Sequence, residues 1–211
     1  VSASSIDFAR TWKIGQGYPG AGHHADGDLA SLLIFDELIP IDELVLMHNE
    51  DAFRFPLTAP TYHLDFTDPT NGSNIGDSGY TWSLIGSPTQ DSNGVRLNPG
   101  SSMSQYIQLD YFPLGPKFTV AIQCKLYRSH NWTCPLNLGY DATGSLMPII
   151  MGNTFRMHWW NAGLKSNTLT FPDVTNYWNF NGKTYTFVIL RDNANIKVYA
   201  NFTSNELEEI G

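Results

Sequence analysis

The stretch Lys183-Thr184-Tyr185-Thr186-Phe187-Val188-Ile189-Leu190-Arg191, followed by Asp192-Asn193-Ala194 and then Asn195-Ile196-Lys197-Val198-Tyr199-Ala200-Asn201-Phe202, decides the fold class. Both apolar runs are rich in β-branched and aromatic residues, and the residues between them are turn formers, so the segment predicts a β-hairpin. Working outward, runs of the same kind recur between clusters of Gly, Pro, Asn and Asp. They are Ile6–Ile14, Asp28–Phe35, Tyr62–Phe66, Trp82–Gly86, Val95–Leu97, Tyr106–Leu109, Phe118–Tyr127, Leu136–Gly139, Met147–Met151, Thr154–Trp160 and Ser166–Phe171. Only Ile41–His48, after Pro40 and with Asp42 and Glu43 in its first turn, reads as a helix. Many short strands and one short helix predict an all-β fold, a two-sheet antiparallel β-sandwich of the jelly-roll type.

Composition agrees and narrows the function classes. The 211 residues suit one such domain, and a hydrophobic content of 42% with 13% aromatic residues can build a core rather than a disordered chain. Lys and Arg number 12 against 20 Asp and Glu, a net charge of −8. With no basic cluster, the electrostatic footprint of a nucleic-acid binder is missing. No apolar run approaches the roughly 20 residues of a membrane-spanning helix, so membrane insertion is not expected. No repeat recurs at a period of a solenoid or propeller. Composition shifts once, at Phe55-Pro56-Leu57-Thr58-Ala59-Pro60, which reads as a linker or extended crossover.

Cys124 and Cys134 are separated by nine residues and both stand in strand-like surroundings. Two readings are open: a disulfide closing the loop from Lys125 to Thr133 in an oxidising compartment, which is the expectation taken forward, or two reduced core thiols. Asn71-Gly72-Ser73, Asn131-Trp132-Thr133 and Asn201-Phe202-Thr203 are N-glycosylation sequons, which favour a secreted setting.

Several segments resemble the concanavalin A-like jelly roll of the laminin-G-like (LamG/pentraxin) type. Tyr62-His63-Leu64-Asp65-Phe66 with Ile75-Gly76-Asp77-Ser78-Gly79-Tyr80-Thr81-Trp82 and Gly86 resembles the opening of such domains. Phe118–Lys125 is similar to their central strand, and Gly182–Arg191 through Tyr199 to the hairpin that follows it. The closing elements of that family, a Gly-rich strand and then a small helix, are matched at the front of this chain by Gly20–Asp36 and Asp42-Glu43-Leu44. The resemblance therefore covers most of the chain in permuted order. Residues 1–57 supply the C-terminal-like part and residues 58–211 the N-terminal-like part of one domain equivalent. Alone, either part would expose sheet edges and apolar faces. Three arrangements repair this: a circular permutant joined through Phe55–Pro60, residues 1–57 swapped into a neighbouring copy, or a window cut from tandem domains.

Hydrolytic relatives on that fold carry E-x-D-x-x-E on one strand, which sets acid and nucleophile on one face. That pattern is absent. The nearest cluster, Glu206-Leu207-Glu208-Glu209, reads as a solvated acidic segment. No G-x-S-x-G elbow supports a Ser/His/Asp nucleophile, so no catalytic residue is assigned. His23-His24 with Asp26 and Asp28 sits in a Gly-rich loop; the resemblance implies loop-bound calcium, for which Asp26 and Asp28 are the better ligands. The alternative is a polar turn before the strand. Trp132, Tyr140, Trp160, Asn161 and Trp178 are candidates for a sugar platform, aromatic faces stacking on sugar C–H surfaces while Asn fixes hydroxyls. In Phe155–Trp160, alternation separates Phe155, Met157 and Trp159 from Arg156, His158 and Trp160.

These readings converge on a non-enzymatic structural or adhesion module of an extracellular or virion-surface assembly, with copies of itself or other assembly proteins as partners. A glycan-binding lectin module, calcium-dependent or not, is the alternative. A glycoside hydrolase ranks third.

Overall fold

The structure, a computed structural model, describes residues 12–16, 24–49, 58–67, 82–98, 105–109, 114–128, 134–138, 145–151, 154–160, 164–170, 184–193, 195–201 and 206–209, with the backbone alone between 145 and 170. In chain order its elements are β1 (Trp12–Ile14), β2 (Asp26–Phe35), α1 (Ile41–Asn49), β3 (Tyr62–Asp65), β4 (Trp82–Ile85), β5 (Thr89–Asp91), β6 (Gly94–Leu97), β7 (Tyr106–Leu109) and β8 (Lys117–Arg128). There follow β9 (Leu136–Asn137), β10 (Ser145–Met151), β11 (Thr154–Trp160), β12 (Leu164–Thr170), β13 (Thr184–Asp192), β14 (Asn195–Ala200) and β15 (Glu208–Glu209).

The predicted two-sheet antiparallel sandwich is present. One sheet has four strands in the order β4-β7-β1-β9. The other has eight, ordered β15-β14-β13-β8-β2-β6-β5, with β3 paired to β2 beside β6. The decisive hairpin forms as its sequence requires: Asp192 pairs with Asn195, and Asn193 takes the left-handed conformation (φ 55) that an Asn tolerates well. Beyond the expected pair of sheets, β10, β11 and β12 make a separate three-stranded meander.

The core follows from strand alternation. On β8, Phe118, Val120, Ile122, Cys124 and Leu126 all point to one side, where they meet Trp12 and Ile14 of β1, Ile107 and Leu109 of β7, and Leu136 of β9. Phe187 and Ile189 of β13 join them. The intervening residues of the eight-stranded sheet face the other way. There Leu33, Phe35, Ala121, Val188 and Tyr199 form a second apolar layer under Leu44 and Met47 of α1. Thr119 of β8 ties the entry to this helix, accepting from the Ile39 N–H at 3.0 Å and donating to the Glu37 carbonyl at 2.9 Å.

β2 is the strand both apolar layers depend on. It runs antiparallel to β8 from Asp26 to Phe35, and its other edge is shared by β6, opposite Gly27–Leu29, and β3, opposite Ser31–Ile34. A bulge between Leu29 and Ser31 shifts the register, so that Leu29 and Leu32 both reach the inter-sheet core. The freed Ala30 carbonyl accepts from the Phe66 N–H at 2.9 Å.

The disulfide expectation is corrected: Cys124 and Cys134 are free, buried thiols. Alternation sends Cys124 into the inter-sheet core, opposite Leu29 and Tyr185, while the Cys134 thiol donates to the Leu136 carbonyl at 3.2 Å. The acidic segment is also more than solvated sequence. Glu208–Glu209 forms β15 on the edge of β14, where Glu209 accepts from Lys197 Nζ at 2.9 Å and from the Tyr199 hydroxyl at 3.0 Å.

Candidate functional site

Of the residues singled out in the sequence, Asp26 and Asp28 fall in a describable charged cluster. Both lie at the start of β2, around Gly27, which the architecture demands: a Cβ there would stand 2.0 Å from the Lys125 carbonyl oxygen of β8. Register sets Asp28 directly opposite Arg96 of β6. The guanidinium reaches both carboxylates, at 3.1 Å to Asp26 and 3.5 Å to Asp28. The Tyr127 hydroxyl donates to the second Asp28 oxygen at 2.6 Å, and its ring lies 4.0 Å from the Arg96 guanidinium carbon. Asp26 is buried, whereas Tyr127 is 38% exposed. The Asp28 hydrogen bond, followed by burial, holds the Tyr127 phenol above its usual range.

This geometry alters the calcium reading. The two carboxylates are turned onto an arginine and a phenol, which supply the positive charge and the donors that a cation would otherwise provide. Among the described residues, no three His, Cys, Asp or Glu side chains are grouped to share a metal ion. The expected loop ligands are instead half of a strand-borne ion cluster with one aromatic face toward solvent. Arg96 and Tyr127 are the members that sequence reading missed. Their signal was alternation: Arg96 sits between the core-facing Val95 and Leu97, and Tyr127 follows the core-facing Leu126, so both must point outward.

A second polar row crosses the same outward face. Register aligns Asp65 of β3, Ser31 of β2, Gln123 of β8 and Thr186 of β13. Ser31 Oγ lies 3.3 Å from His63 Nε2 and His48 Nδ1 lies 3.0 Å from Thr186 Oγ1. Asn201 continues the row: its Oδ1 accepts from the Thr186 N–H at 2.9 Å and its Nδ2 donates to the Thr184 carbonyl at 3.1 Å. Serine, histidine and aspartate thus come together without a shared relay, because Asp65 Oδ1 accepts from the Thr67 N–H and hydroxyl instead. Burial holds the His63 imidazole below its usual pKa, partly opposed by the Asp65 charge.

The same contacts correct one of the sequon readings. The Asn201 side chain is 3% exposed and both its ends are engaged in the sheet, so its amide nitrogen is not presented for modification. Asn71 and Asn131 lie outside the described residues. So do Trp132, Tyr140, Asn161 and Trp178 of the sugar platform. Trp160 is placed by backbone alone, at the end of β11 between Ser145 of β10 and Leu164 of β12. Comparison with known proteins finds no matching family model, no matching curated protein and no matching solved structure.

Proposed function

We propose that this chain is a non-enzymatic structural or adhesion module of an extracellular or virion-surface assembly. Its sandwich would be of the concanavalin A-like, laminin-G-like type in permuted order. The observation that carries the reading is the place of β2. This strand belongs to the first 57 residues, yet it occupies the middle of the eight-stranded sheet, flanked on both edges by strands from the rest of the chain. Edge-to-edge strand pairing of this extent, together with the apolar residues on both faces of β2, is the kind of contact by which one copy can complete another. Contacts made within a chain and contacts made between copies are then the same contacts with different chain paths. Light scattering across a range of protein concentrations tests this. A defined dimer or larger assembly is expected; a monomer at every concentration overturns the assembly reading.

A lectin module is the second reading, favoured by the exposed Tyr127 ring fixed between Arg96 and Asp28. Such a face offers a sugar both C–H stacking and charged hydrogen-bonding groups. Glycan-array binding that falls at least tenfold in Tyr127→Ala supports it, and an array without binders, with and without calcium, removes it.

A further inference from the structure

Asp91-Ser92-Asn93-Gly94 turns β5 into β6, with Asp91 paired to Gly94. The Asn93 N–H donates to Asp91 Oδ1 at 2.7 Å, which fixes the turn. Asn93 is exposed, and its side-chain amide makes no hydrogen bond among the described residues. The positive φ of this turn falls on Gly94 (φ 122) and not on Asn93. Glycine is required at that place, because β2 runs so close that a Cβ would collide with the Leu29 carbonyl oxygen. The turn between β13 and β14 makes the contrast. There Asn193 takes φ 55, its Nδ2 donates to Asp192 Oδ1 at 2.8 Å, and Ala194 follows it. One turn asparagine is tied down and followed by a side chain; the other is loose and followed by none.

We propose that Asn93 is a site of spontaneous deamidation and that its isoaspartate product unseats β6. The Gly94 nitrogen gives up its proton to solvent base and bonds to Asn93 Cγ; the Cγ–Nδ2 bond breaks and ammonia leaves. Water then opens the succinimide ring at one of its two carbonyls, which yields isoaspartate or aspartate. Gly94 has no Cβ to obstruct ring closure. β5 is a three-residue strand at the sheet edge with no buried residue, so the turn opens at low cost and frees the Gly94 nitrogen. Isoaspartate adds one atom to the main chain between residues 93 and 94. Hairpin register is set by the length of the turn, and Gly94 has no room to shift toward β2. The strain therefore falls on β6, whose Arg96 holds Asp26 at 3.1 Å and Asp28 at 3.5 Å. This chemistry is independent of how copies of the chain assemble.

Incubation of the full chain at pH 8 and 37 °C, followed by peptide mapping with mass spectrometry, tests the proposal. The peptide carrying Asn93 shows the mass change of an amide becoming an acid at least tenfold faster than the peptide carrying Asn193. It does so faster at pH 8 than at pH 6, because base removes the Gly94 proton. Isoaspartyl methyltransferase labels the same peptide. Asn93→Gln, which would have to close a larger ring, abolishes both signals there. In the aged chain, separated by its added charge, hydrogen exchange across Val95–Leu97 is at least threefold faster than in Asn93→Asp, which carries the charge without the added main-chain atom. Conversion of Asn93 no faster than that of Asn193, or labelling of this peptide that persists in Asn93→Gln, overturns the modification site. Equal exchange in the aged chain and in Asn93→Asp overturns the effect on β6.

Discussion

The two cysteines show how a single residue's environment decides its chemistry. Cys124 lies among core side chains and Cys134 is equally buried; loss of solvation pushes the first thiol far above its usual range and the second up to about 12. A thiolate is the reactive form, so neither should react with Ellman's reagent in the native chain at pH 8, and two thiols should titrate after denaturation without reductant. A count of zero after denaturation would mean a disulfide. The strand context of both cysteines was readable, but their pairing was not. Alternation assigns a side chain to a face, whereas bridging requires knowing where two faces meet. The charged cluster was legible to the same degree. Asp26 and Asp28 stood out as acidic residues in a Gly-rich loop, while the arginine that satisfies them lies 70 residues from Asp26 in sequence and arrives only through the β2–β6 register.

His63 makes a different statement at the residue scale, because its burial ties stability to pH. Its folded-state pKa lies below the usual 6.5, so the unfolded chain takes up a proton first as pH falls. Stability from this group is therefore complete above about pH 6.5 and is lost on acidification through the window below it, at a slope of at most about 1.4 kcal/mol per pH unit for one proton. Urea unfolding at pH 7.5 and 5.5 should show a smaller loss in His63→Gln than in the unmodified chain. An identical loss in both would place the pH dependence elsewhere.

At the scale of elements, apolar strands announced themselves and polar ones did not. Thr89-Gln90-Asp91 has no buried alternation, yet it forms β5 because the Ser92-Asn93 turn and Gly94 fold it back on β6. β15 escaped notice for the same reason, being two glutamates of which Glu209 is held by Lys197 and Tyr199. The bulge in β2 also had no sequence signal, since Leu29-Ala30-Ser31-Leu32 fits more than one register. Gly27 stood just before the run Asp28–Phe35 and read as loop, whereas in β2 it is a glycine inside a strand, where the backbones come close. Alanine there would drive its Cβ into the Lys125 carbonyl, and a backbone atom of a central strand cannot move aside cheaply. Gly27→Ala should destabilise the chain by roughly 2 kcal/mol or more, the range of overpacked interiors, with the urea midpoint lowered. An unchanged midpoint would show that β2 and β8 have room to separate.

At the scale of the whole molecule, the sandwich is a joint product of two stretches of chain. β1 stands inside the four-stranded sheet between β7 and β9, and β2 inside the eight-stranded sheet between β8 and the β6–β3 edge. Removing residues 1–57 would take Trp12, Ile14, Leu29, Leu32 and Ile34 out of the inter-sheet core, and Leu33, Phe35, Leu44 and Met47 out of the layer beneath α1. It would also leave the inner edges of β7, β8 and β9 unpaired. Burying a large apolar side chain is worth about 1.5–3 kcal/mol, so the nine lost residues carry an amount that matches or exceeds the roughly 5–15 kcal/mol by which a domain is ordinarily stable. Residues 58–211 expressed alone should therefore lack cooperative unfolding and near-ultraviolet circular dichroism. Adding residues 1–57 as a separate chain should restore both at one-to-one stoichiometry, because the missing edges specify the incoming strands by register and by alternation. A folded 58–211 fragment would contradict this dependence. Failure of the two pieces to combine would show that the covalent link between them is needed to bring β2 to its place.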